Sequence, residues 1–102
     1  MGEFTTVTAL NTLEGRELAA FGVSGNRIAI ARVGDNFYAF GDTCTHQGCS
    51  LADGELEETT VTCPCHGSQF NVTTGDVLRG PAREPVRSYP VTLEENALQV
   101  EV

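Results

Sequence analysis

The chain contains no lysine and no tryptophan, one methionine and only two histidines. Six arginines stand against fourteen carboxylates, a formal charge of −8, which excludes nucleic acid and anionic membranes as favoured partners. A field of that sign keeps a protein soluble and speeds its encounter with a basic patch on another protein. No apolar run approaches the ~18 residues a bilayer span needs. Met1-Gly2-Glu3-Phe4 lacks the basic and apolar regions of a secretory signal, so the expected address is the cytoplasm. There is no Gly-x-Gly-x-x-Gly box for a flavin or nicotinamide, no internal repeat, and no Pro/Gly/Ser linker. The 102 residues suffice for one compact domain, 1–102, and leave no room for a separate catalytic one.

What is present is a succession of short runs rich in β-branched and aromatic residues: 4–10, 17–23, 27–33, 37–40, 59–63, 86–93 and 97–102. The expected class is all-β. Ile28 and Ile30 alternate with Ala29, Ala31 and Val33, which predicts a strand covered on both faces. Gly25-Asn26 and Gly34-Asp35 stand between apolar runs at hairpin distance and tolerate the positive φ of tight turns, so the strands are expected to run antiparallel. One short helical turn is allowed within 10–20, capped by Asn11 or Thr12 and weakened by Gly15. Phe37, Tyr38, Phe40, Phe70 and Tyr89 are expected in the core.

All cysteines and histidines fall between residues 44 and 66, in Cys44-Thr45-His46-Gln47-Gly48-Cys49 and Cys63-Pro64-Cys65-His66-Gly67-Ser68. In a chain expected in the cytoplasm, metal ligation is a better first reading of four cysteines than disulfides. Two thiolates and two imidazoles suit either a tetrahedral zinc or an iron-sulfur cluster. Zinc sites usually pair Cys with Cys and His with His. Here each segment supplies Cys-x-His or Cys-x-x-His, which favours a cluster.

These two segments, Cys-Thr-His-Gln-Gly-Cys-Ser-Leu and Cys-Pro-Cys-His-Gly-Ser-Gln-Phe, resemble the cluster-binding boxes of Rieske proteins, and the likeness runs on through Gly75-Asp76-Val77-Leu78-Arg79-Gly80-Pro81-Ala82. The resemblance implies a Rieske-type antiparallel β sandwich or barrel, with a small two-loop cluster-binding part at about 43–82 on a basal scaffold. It implies one 2Fe-2S cluster, with Cys44 and Cys63 on one iron and His46 and His66 on the other. It also implies that Ser68 donates a hydrogen bond to a cluster sulfur and that the Gly80-Pro81-Ala82 segment covers the cluster. Phe70 stands where the cytochrome bc type usually has a second donor, a tyrosine. In that type, residues at the positions of Cys49 and Cys65 form a disulfide, which implies a bridge here, with two free buried thiols as the alternative. Soluble dioxygenase ferredoxins usually lack this pair.

The expected function is therefore a one-electron carrier, a Rieske-type ferredoxin between an NAD(P)H-dependent flavin reductase and a terminal oxygenase, working as a monomer and not itself an enzyme. A soluble Rieske subunit of a respiratory or inorganic-substrate oxidising complex is the second reading, and a structural zinc module the third. Glu55, Glu57 and Glu58, between the boxes, are either a solvated loop or a docking patch for a basic reductase.

Overall fold

The computed structural model describes residues 4–9, 17–23, 25–44, 48–65, 67–94 and 97–101. Among these the regular elements are eleven β-strands and one turn of 3-10 helix, Leu51–Asp53. The first strands are β1 (Phe4–Ala9), β2 (Leu18–Val23), β3 (Asn26–Val33) and β4 (Asn36–Gly41). The short strands β5 (Glu55–Glu57), β6 (Thr60–Thr62), β7 (Gln69–Asn71) and β8 (Val77–Arg79) follow, and β9 (Ser88–Tyr89), β10 (Val91–Glu94) and β11 (Ala97–Glu101) close the chain. They form three antiparallel sheets, ordered β1-β11-β10, β2-β3-β4-β9 and β5-β6-β7-β8.

The second sheet is the middle layer, and the alternation in β3 is the reason. Ile28 and Ile30 pack with Leu98 and Val100 of the first sheet. Ala29 and Ala31 turn the other way, into a cluster with Phe40, Val61, Phe70, Cys44 and Cys63. All four β3 residues are buried, so both faces of this strand are covered as the pattern predicts. Small alanines on the second face leave room for Phe40 and Phe70, each fully buried and worth roughly 1.5–3 kcal/mol of apolar transfer. Tyr89 is also buried, whereas Phe37 and Tyr38 are half-buried against the two clusters.

The turns at Gly25 and Gly34 take φ of +81° and +63° and join β2 to β3 and β3 to β4. The run 86–93, expected as one strand, divides instead at Pro90. β9 pairs with β4 and β10 with β11, so the chain changes sheets at a residue that has no N–H for a ladder. The expected helical turn is not seen at Leu18–Ala20, which belong to β2, while residues 10–16 lie outside the described residues. No helix among the described residues is long and apolar enough to cross a membrane.

Candidate metal centre

The two cysteine-and-histidine segments lie in two connections, the first after β4 of the second sheet and the second within the third sheet. Loop 1, residues 44–49, lies between β4 and the 3-10 turn, its base closed by a Thr43–Ser50 bridge. Loop 2, residues 63–68, is the connection of the β6–β7 hairpin. Their backbones repeat one arrangement. The Cys44 amide donates to the Cys49 carbonyl at 2.8 Å, and the Gly48 amide donates back to the Cys44 carbonyl at 2.9 Å. Loop 2 closes at the same offsets, with Cys63 N donating to Ser68 O at 2.7 Å and Gly67 N to Cys63 O at 3.2 Å. Gly48 and Gly67 have φ of +74° and +78°, a conformation that a Cβ disfavours.

In each loop the amide and the carbonyl of the first cysteine are thus both engaged by the closing residues. Cys44 and Cys63 are the free thiols, both buried. Cys49 and Cys65 are joined by a disulfide, Cα to Cα 6.5 Å, which ties loop 1 to loop 2. The sulfurs of Cys49, Cys63 and Cys65 lie within 4.8 Å of one another, so this bridge sits against one of the free thiols. His46 and His66 lie outside the described residues. Two free thiols at equivalent corners of two linked loops, each followed in sequence by one histidine, are a donor set suited to a centre with sulfur on one side and nitrogen on the other.

The described residues with buried polar side chains are two, Asp42 and Ser68, and each supports one loop. Ser68 Oγ accepts from the amide of Ala82 at 3.0 Å, which draws the Gly80-Pro81-Ala82 segment against loop 2; Gly80 and Pro81 themselves are exposed. Because the oxygen is engaged as acceptor, its proton is left to donate elsewhere. Asp42 stands two residues before Cys44. Its Oδ2 accepts from Arg27 Nε and from Ser50 Oγ, each at 2.6 Å, and its Oδ1 from Ala52 N at 2.8 Å. Its backbone takes part as well, the amide donating to Arg27 O at 3.1 Å and the carbonyl accepting from Leu51 N at 2.7 Å. The hydrogen bond and the charge of Asp42 hold the Arg27 guanidinium above its ordinary pKa.

Sequence reasoning missed Asp42, Ser50 and Arg27. Asp42 is one of fourteen carboxylates, and the only cue was its place between the apolar end of β4 and the first cysteine. It missed Gly54 too, where a Cβ would collide with the Thr62 carbonyl just ahead of Cys63. Glu55, Glu57 and Glu58 are all exposed, on β5 and the turn that leads to β6.

Comparison with known proteins agrees with this geometry. The family profile of the Rieske [2Fe-2S] domain matches residues 3–90. Ferredoxin CarAc of Metapseudomonas resinovorans is 42% identical over 73 residues, covering 72% of this chain and 68% of the relative. Among solved structures, the ferredoxin of carbazole 1,9a-dioxygenase from Nocardioides aromaticivorans IC177 superposes with a TM-score of 0.89 at 30% identity, over 95% of both chains. A chain from the complex of reduced oxygenase and oxidized ferredoxin in carbazole 1,9a-dioxygenase gives 0.88 at 34% identity, over 96% of this chain and 92% of that one. The chain thus belongs to the Rieske [2Fe-2S] family, and its cofactor is one 2Fe-2S cluster.

Proposed function

We propose that the chain is a Rieske-type ferredoxin that carries single electrons from an NAD(P)H-dependent flavin reductase to a terminal oxygenase, with Cys44 and Cys63 binding one iron and His46 and His66 the other. The observation that carries the reading is the repeated loop with one free, buried thiol in each copy. Likeness to ferredoxins of a dioxygenase system supplies the kind of partner. The chain is an electron-transfer component and not itself a catalyst.

When bound, the cluster supplies one-electron chemistry at a potential within about −150 to +300 mV. The chain's own residues decide where in that range it falls. Two thiolates, rather than four, leave the oxidised centre without net charge, so an added electron meets less repulsion than at a four-cysteine site. Ser68 has a proton free to donate toward a cluster sulfur, and the fully buried Phe70 has none, which supports an expected potential below that of the quinol-oxidising type. The imidazoles of His46 and His66 form the electron's exit. The cluster-binding part is residues 43–82, and the rest is the scaffold that holds it. The exposed Glu55, Glu57 and Glu58, within a chain of charge −8, suit brief docking with basic partners in the cytoplasm, as a monomer between encounters.

The Cys49–Cys65 disulfide favours a second reading, a soluble Rieske subunit of a respiratory or inorganic-substrate oxidising complex. A redox titration followed by electron paramagnetic resonance separates the readings. A Rieske signal with a potential at the low end of the family range supports the ferredoxin. A potential well above zero moves the chain to the second reading, and a colourless, zinc-containing protein overturns both.

A further inference from the structure

Asp42 is fully buried, and its partner Arg27 is largely in solvent, with its side chain 62% exposed. Among the described residues three donors reach the carboxylate, the Arg27 and Ala52 N–H groups and the Ser50 hydroxyl, so both of its oxygens accept hydrogen bonds. The pair is also fixed in place. Ile28 of β3 pairs with Gly41 of β4, which puts Arg27 and Asp42 next to each other across the same two strands, and the Ser50 and Ala52 bonds fasten the return limb of loop 1 to this point.

We propose that the Asp42–Arg27 pair is a positioning and potential-setting element for the cluster. Asp42 orients loop 1 and lowers the reduction potential by its negative charge, and Arg27 partly offsets that charge from the solvent side. The inference rests on the Rieske reading above. Reduction adds one negative charge to the centre, and the carboxylate of Asp42, two residues before Cys44 and tied to Ser50 and Ala52 after the loop, opposes it. The carboxylate is desolvated while the guanidinium faces water, so their fields do not cancel; the solvent-facing charge is screened and the buried one much less so. Within the described residues Asp42 is the one buried carboxylate, which distinguishes it from the exposed acids that make up most of the charge.

The pair gives a test that a merely structural anchor would fail. Breaking the same ion pair from its two ends moves the potential in opposite directions. Asp42→Asn keeps the shape, removes the negative charge and raises the potential. Arg27→Gln leaves Asp42 uncompensated and lowers it, while Arg27→Lys restores a cation and returns the potential toward its starting value. Glu94→Gln, an exposed change on β10, serves as the control and leaves the potential unmoved. The measurement is a redox titration of the holoprotein and its variants, with the Rieske resonance signal recorded in each. Shifts of opposite sign with the signal retained support the proposal; no shift, or shifts of the same sign, overturn it. If Asp42→Asn does not hold a cluster, the Arg27 series decides alone, and a Gln variant that is unmoved or raised overturns the proposal. Absence of a Rieske signal in the unsubstituted protein would instead overturn the reading on which it rests.

Discussion

Loop 1 and loop 2 close through the same pair of backbone hydrogen bonds, from Cys44 to Cys49 and from Cys63 to Ser68, with a glycine at the same step of each. What lies behind them differs. Loop 1 rests on a buried carboxylate bonded to Arg27 of β3, whereas loop 2 is part of a hairpin and is held by a serine hydroxyl to the segment around Ala82. Loop 1 joins two separate sheets, with β4 before it and β5 after, so it needs a support from outside itself. Loop 2 receives its register from the β6–β7 ladder. One backbone solution is thus reached with two kinds of polar support, because the two loops enter the sheets differently.

The comparison breaks most completely at the thiols. Cys44→Ser and Cys63→Ser should each abolish the visible absorbance and resonance signal of the cluster, since loss of either thiolate removes half of the sulfur ligation; a variant that keeps the native signal would remove that residue from the ligand set. The cross-link is next. The double change of Cys49 and Cys65 to Ser, across a sequence separation of 16, should lower unfolding stability by about 3 kcal/mol in denaturant titrations of the cluster-free protein. Ser68→Ala leaves the buried Ala82 amide without an acceptor and should cost roughly 1–3 kcal/mol while lowering the potential. The smallest effect sharpens the equivalence of the loops. At Gly48 and Gly67 a Cβ meets nothing closer than 3.9 Å, so alanine should cost only the positive-φ penalty, about 1–2 kcal/mol, and nearly the same at both positions.

Much of this was legible in the sequence because the signals were local. The Ile/Ala alternation in β3 gave a strand covered on both faces, and Gly25 and Gly34 gave the hairpins on either side of it. The two boxes announced a centre because thiol and imidazole recur in each at short spacing. Features that depend on three-dimensional neighbours were silent. Nothing in the string separates Asp42 from the other carboxylates until Arg27, fifteen positions away, is brought beside it. The three-residue strands β5, β7 and β8 are too short to carry a period-2 pattern, and they exist because they pair with each other and with β6 around the buried Val61 and Phe70. The break at Pro90 was written in the sequence, yet the apolar residues on both sides outweighed it.

The central claim is that two thiolates and two imidazoles divide the cluster between them. Its most direct test is pulsed electron paramagnetic resonance on the reduced protein, with the histidines labelled by nitrogen-15. The account predicts coupling to ring nitrogens of both His46 and His66, altered by the label and lost in part when either residue is changed. A reduced cluster with no histidine nitrogen coupling would contradict it and would point to ligation by four cysteines, with the Cys49–Cys65 bridge opened.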